Sequence, residues 1–481
     1  MYPETSVSFR CADPALQRLW DEAERKCLRN LKDFAGRPVL VEGGGYHKIW
    51  LETQPMGGEM YALRNLEAAM NNTLLFLEHQ REDGRLPGSI RLDQGRLIPE
   101  YNKYQGFCFP WPALNLYYLS GEDPAYLEAL EECLRRFDAC LWRTRALQPD
   151  GLLRSFCVYD TGEDNALRYG DAPCWWTEDA PPEDSSVVPM ASMDVTSWSY
   201  AARDTLRVLC EIRGGREAAR TWHARAKEVS DALRRELWDE ARGTLFDRDK
   251  HGRPIPVLGH NPLRCMYWHS LAPDMARRFV KKHLLNPAEF WTPMPLPSTA
   301  VNDPTFRNAP ENNWSGQPEG LTFQRAILAL ENYGYDALVP VLGRRLMDAV
   351  IRNDYRFTQQ YDPFTGSASL PPLPDSPPAG EDPLESFSSY GPTLLAVLEY
   401  FAHTWGIRPH LKEIRFALFP GLSYTWESVF RGHRARIDAD GKKAAVTLDG
   451  RLIFEGACGL RIDTDDRGEI LRRVFLTAAQ P

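Results

Sequence analysis

The chain has 481 residues, 43% hydrophobic and 26% charged, with a net charge of −9 and a pI near 5.7. That is the composition of a globular protein with a large core, and the absence of any Lys/Arg block excludes nucleic acid and anionic membranes as partners. No stretch approaches the roughly 18 apolar residues that span a bilayer, and no basic segment followed by an apolar run opens the chain, so a cytoplasmic protein is expected. Its ten cysteines form no CxxC and are expected as small buried hydrophobes. No metal motif is present, no cofactor is expected, and the oligomeric state is not legible.

Helical periodicity dominates up to about residue 407. In chain order it predicts helices over 13–31, 57–80, 106–119, 124–142, 193–214, 217–237, 262–271, 273–285, 318–332, 335–352 and 390–405. Within a pair the connections are short and contain Gly (Gly121, Gly214, Gly215), which suits a helix C-cap and an antiparallel return. Between pairs they are long and rich in aromatics and Pro: 36–56, 86–105, 151–192, 286–317 and 353–389. Loops of that length are functional more often than not. The pattern predicts a mainly α fold, an (α/α)6 toroid of helical hairpins over residues 1–410 with one decorated face. From 411 to 481 alternating segments separated by Asp440-Gly441 and Asp449-Gly450 predict a small C-terminal antiparallel β-unit. The proline-rich stretch 371–383 reads as a surface loop.

Chemistry is densest at Asp160-Thr161-Gly162-Glu163-Asp164-Asn165, followed by Trp175 and Trp176. Acids crowded this closely repel, so at least one should keep its proton near neutrality. A protonated carboxyl beside aromatic surface is what glycosidic cleavage needs. The bland alternative is a solvated acidic loop with an Asx turn.

Five segments carry a family resemblance. Ile49-Trp50-Leu51-Glu52-Thr53 resembles the Trp-x-Asp-Ser segment of clan-G glycoside hydrolases, which include the family 63 glucosidases, mannosylglycerate hydrolases and trehalases. Gln80 to Pro87 is similar to their Gln-x-x-Asp-Gly-x-x-Pro turn, Asp160 to Asn165 to Glu-Ser-Gly-x-Asp-Asn, Trp314-Ser315-Gly316 to Trp-Arg-Gly, and Gln359 to Gly366 to Glu-x-Tyr-(Asp/Asn)-Pro-x-Thr-Gly. The resemblance implies an (α/α)6 barrel and inverting hydrolysis of an α-glycoside, with Asp164 as general acid. The chain departs from it at the general base, where the family has Glu and this sequence has Gln359, an amide that cannot take a proton from water. Glu319, at a helix start after the Trp314 motif, is the substitute considered; its ordinary reading is a first-turn Glu favouring the helix dipole.

Glu52 stands where the family's sugar-binding Asp is. Trp50, Trp175, Trp176, Trp314 and Tyr361 sit in loops, where indole and phenol rings can stack on sugar C–H faces. Gln80 belongs to the second motif, and Tyr101 to Gln105, Tyr104 among them, offers hydroxyl binders. Arg168 either neutralises a substrate carboxylate or pairs with Asp171. The reading is a glycosidase acting on a small α-linked saccharide or glycoside. The rivals are an inverting phosphorylase, a sugar-binding pseudoenzyme, and an epimerase, which the scattered histidines disfavour.

Overall fold

The computed structural model describes residues 2–370 and 382–477. Its helices are α1 (Pro14–Arg29), α2 (Gln54–Tyr61), α3 (Leu66–Glu78), α4 (Pro110–Leu119), α5 (Pro124–Arg145), α6 (Met193–Ile212), α7 (Arg216–Ala232), α8 (Asn261–Tyr267), α9 (Pro273–Phe279), α10 (Gly320–Glu331), α11 (Leu338–Arg352), α12 (Pro383–Phe387) and α13 (Gly391–Trp405). The helix expected over 57–80 is two, α2 and α3. Asn65 is extended and its side chain accepts from Ala68 N, so a polar residue inside the apolar pattern starts a new helix rather than continuing the old one. The helix expected from 106 begins only at Pro110, because Gly106 sits at φ 73° and Pro is at home in a first turn. Two others end in single π turns, at Leu233–Leu237 and Val280–Leu284. The short α12 lies in a segment expected to be loop, and most of the proline-rich stretch 371–383 falls outside the described residues.

Helix composition sorts inner from outer. In α7 the buried residues are Ala219, Trp222, Ala226, Val229 and Ala232, one stripe of an otherwise polar helix. α13 is buried along its whole length, which marks a helix covered on every side. The contacts form a closed circuit: α2 packs on α4, α4 on α6, α6 on α8, α8 on α10, α10 on α13, and α13 back on α2. Outside it, α3, α5, α7, α9 and α11 each pack on the circuit helix that precedes them, and α1 packs on α13.

The C-terminal region forms two antiparallel sheets, with hairpins at Asp440-Gly441 and Asp449-Gly450 as expected. Positive φ at Gly441, Asp449 and Gly450 supplies the turn geometry. The sheets also take in residues outside 411–481. Ser6–Cys11 pairs with Ser423–Phe430, and Ile407–His410 pairs with Glu413–Leu418. Phe9, Trp20, Phe401 and Trp426 join strand, α1, α13 and sheet, with ring centroids 5.1–5.7 Å apart. The N-terminal strand is thus held by aromatic packing as well as by its ladder.

Candidate active site

The long loops lead into the inner helices, and they converge. A cavity of about 240 Å³ is lined by Glu42, Tyr46, Trp50 and Glu52 from the segment before α2, and by Lys103 and Gln105 from the segment before α4. Tyr159, Gly162 and Asp164 come from the segment before α6, Asn312 and Trp314 from that before α10, and Gln359 and Tyr390 from that before α13.

Within the acidic motif, local sequence and tertiary packing send the three carboxylates different ways. Asp160 turns inward: its Oδ2 accepts from Phe156 N at 2.8 Å and lies 3.5 Å from Arg145. Glu163 also turns inward, against Arg168, Arg264 (3.1 Å), His260 (3.0 Å) and Asn261 (2.9 Å). Although burial opposes it, the Arg168 and Arg264 guanidiniums hold the Glu163 carboxyl well below the usual carboxylate range. Only Asp164 faces the cavity. Its Oδ2 accepts from Asn312 Nδ2 at 3.1 Å, and its Oδ1 is enclosed without a hydrogen bond among the described residues. Burial pushes Asp164 up to about 6, against the pull of Asn312, Gln105 and Lys103. The direction of the shift is the one the sequence argument expected, but its cause differs: desolvation raises Asp164, not repulsion from Asp160 and Glu163.

Glu52 is fixed on both oxygens, Oε1 by Gln105 Nε2 at 3.3 Å and Oε2 by Arg325 Nη2 at 3.1 Å. Burial pushes it up to about 7 despite Arg325 and Arg264. Two cations lie near the Trp50 ring, with Lys48 Nζ 5.1 Å and Lys103 Nζ 5.4 Å from its centroid. Gln359 is wired at both ends: its Oε1 accepts from Tyr46 OH and its Nε2 donates to Asn312 Oδ1, each at 3.2 Å. A chain of hydrogen bonds therefore runs Tyr46–Gln359–Asn312–Asp164.

Several expected residues lie elsewhere. Tyr104 is 1% exposed and packs on Phe137 and Trp198; its neighbour Gln105 takes the cavity position. Gln80 donates to Gly84 O and Cys133 O, closing its own turn onto α5. Tyr361 is buried with its hydroxyl donating to Arg356 O. Trp175 is 58% exposed beside Tyr159, and the Trp176 indole donates to Ala180 O; neither lines the cavity. Arg168 pairs with neither substrate space nor Asp171, but with Glu163, Asp194 and Asp247. Glu319 is fully buried before α10, does not line the cavity, and is pushed well above the usual carboxylate range by burial and then by Asp164 and Glu52.

Sequence reasoning missed Glu42, Tyr46, Asn312 and Tyr390. A signal existed for Glu42. It precedes Gly43-Gly44-Gly45, all at positive φ, and a run of Gly beside a lone acid marks backbone folded tightly against something. Among the described residues, no set of three or more His, Cys, Asp or Glu is grouped to hold a metal ion, and no helix is long and apolar enough to cross a membrane.

The family model for the mannosylglycerate hydrolase MGH1-like glycoside hydrolase domain matches residues 58–385. Among solved structures, the chain is similar to the GH63 mannosylglycerate hydrolase from Thermus thermophilus in complex with glucose, at 18% identity and TM-score 0.60, over 79% of this chain and 99% of that one. A sialidase matches at 13% identity and TM-score 0.69 over 96% of this chain and 41% of its own. Neutral trehalase Nth1 from Saccharomyces cerevisiae matches at 14% identity and TM-score 0.52, over 76% and 74%. At these identities the structural likeness concerns the fold.

Proposed function

From the premise that the chain belongs to the mannosylglycerate hydrolase MGH1-like glycoside hydrolase family, we propose that it cleaves a small α-linked saccharide or glycoside with inversion, using Asp164 as general acid. The closed helix circuit is read as the (α/α)6 toroid of such enzymes. The observation that carries the reading is the Asp164 carboxyl, which lines the cavity with one oxygen that meets no hydrogen-bond donor among the described residues, and whose proton affinity burial raises. A group there holds its proton up to about pH 6 and can deliver it to the leaving oxygen as the glycosidic bond breaks. Trp50 and Trp314 offer ring faces for sugar C–H surfaces, and Glu52 a hydroxyl-binding oxygen pair. Loops from five segments roof the space, which suits a short substrate held end-on better than a polymer.

The test is a screen of α-glucosides, α-mannosides and glycosyl-glycerates with the anomer followed by NMR at release, alongside Asp164→Asn. The expected product has the opposite anomeric configuration from the substrate. A retained anomer rules out inversion. Phosphorolysis is the second reading, supported by Gln359 in the base position and by Lys103 on the cavity wall; turnover that requires inorganic phosphate selects it. Sugar binding with no turnover under any condition selects a pseudoenzyme.

A further inference from the structure

Hydrolysis with inversion requires a group that takes a proton from the attacking water. Gln359 has no such chemistry, and its amide is occupied by Tyr46 and Asn312. Glu319 lies outside the cavity lining. Glu52 has both oxygens committed, to Gln105 and Arg325. Glu42 is different. It lines the cavity, and its Oε1 accepts from Tyr390 OH at 3.0 Å. Its Oε2 has no hydrogen bond among the described residues and is not among the sealed side-chain atoms, so it remains open to the cavity.

The backbone places Glu42 with unusual firmness for a loop. Gly391 N donates to Glu42 O at 2.6 Å. The following Gly44 lies against Tyr390, where an added Cβ would fall 2.7 Å from the ring. Tyr390 in turn packs on Tyr46, the residue that holds Gln359, with ring centroids 6.3 Å apart. Glu42 and Gln359 are therefore linked through two touching tyrosines.

Building on the glycosidase reading, we propose that Glu42 is the carboxylate that accepts the proton of the attacking water, in place of the residue whose position Gln359 occupies. The water oxygen bonds to the anomeric carbon as the bond to the leaving oxygen breaks. The Asp164 proton passes to that oxygen, and a water proton passes to Glu42 Oε2. Turnover leaves Asp164 ionised and Glu42 protonated, and exchange with solvent resets both. Burial, with Glu52 and Asp164 nearby, pushes Glu42 well above the usual carboxylate range, while Asp164 rises only to about 6, so the proton rests mainly on Glu42 and the productive form is the minor tautomer with the proton on Asp164.

The experiment uses α-D-glucosyl and α-D-mannosyl fluoride, whose leaving group departs without a proton and so isolates the base. Wild type is expected to hydrolyse at least one. Glu42→Ala should lower kcat/KM by about 10²–10⁴-fold, and added azide should restore turnover with a β-glycosyl azide as product. Glu42→Gln keeps an acceptor for Tyr390, guards against a folding defect, and should lose a similar factor. Retention of fluoride hydrolysis within about threefold in Glu42→Gln overturns the proposal. So does azide rescue of Glu319→Ala but not Glu42→Ala. A wild type inert toward both fluorides and every α-glycoside brings down the glycosidase reading itself, and the role of Glu42 with it.

Discussion

Gly162 and Glu52, 110 residues apart in the chain, touch so closely that a Cβ on Gly162 would lie 2.1 Å from Glu52 Oε2. Gly162 is also at φ 72°, where L side chains are strained. Gly162→Ala is therefore expected to cost about 1–3 kcal/mol and to remove activity, because Glu52 is tethered to Gln105 and Arg325 and has little freedom to retreat. Gly95, at φ 76° with nothing within 4 Å, is the control: its Ala variant should pay the backbone strain alone and keep activity. Urea denaturation and turnover of both variants check this.

Asp164→Asn should lower kcat/KM on glycosides with poor leaving groups by about 10²–10⁴-fold while leaving sugar binding measurable by calorimetry. The same substitution should stabilise the fold at pH 8. The Asp164 carboxyl rises from 3.8 to about 6 on folding, so its favourable contribution is complete below the unfolded value and is lost as pH rises through about 6. Removing the buried charge recovers on the order of 2–3 kcal/mol above that window. A variant that melts earlier than wild type at pH 8 would contradict the burial argument.

The same group sets a pH limit on turnover. The productive free enzyme carries a proton on Asp164 and none on Glu42, the group that holds its proton more tightly, so kcat/KM should rise as pH passes about 6 and fall only as pH passes the higher value of Glu42. In wild type the alkaline limb is therefore expected above about 6. A limb that stays in place when only the leaving group is changed to fluoride would assign it to another residue.

Arg168 holds Glu163, Asp194 and Asp247 together in a buried cluster. Arg168→Met leaves three buried carboxylates short of one cation, and the expected loss is about 3–5 kcal/mol. Chemical denaturation reads the loss. Glu163 is the chain neighbour of Asp164, so the residual folded enzyme should also turn over more slowly.

Trp50 lines the cavity, and Trp175 stands 58% exposed outside it. Trp50→Ala should raise KM by about tenfold, the worth of one lost aromatic contact, whereas Trp175→Ala should leave KM unchanged. Equal effects from the two would place the substrate in a different part of the loop face.

Periodicity alone located the paired helices, the long loops between pairs, and the Asp-Gly hairpins of the C-terminal sheets. These rest on local chemistry: turn residues, caps, and apolar residues repeating along one face. The strand Ser6–Cys11 was invisible because its partner, Ser423–Phe430, lies at the other end of the chain. Trp50, Glu52, Asp164, Trp314 and Gln359 were legible through short motifs, and they do meet at one cavity. Tyr104 and Tyr361 were not distinguishable from Tyr46 and Tyr390, since a loop aromatic carries no mark of which side its ring will face.

What the amino-acid order determined by itself was therefore the succession of paired helices, the long loops between pairs and the presence of an acid cluster in one of those loops. The tertiary structure alone decided which acid in the cluster faces the cavity. Asp160 and Glu163 are drawn inward by Arg145, Arg168 and Arg264, residues on other turns and helices. Asp164 is left to a desolvated wall, with Asn312 as its one hydrogen-bond donor among the described residues. A carboxyl's proton affinity depends on the charges and solvent around it in space, and those neighbours are set by packing between segments that the sequence keeps far apart.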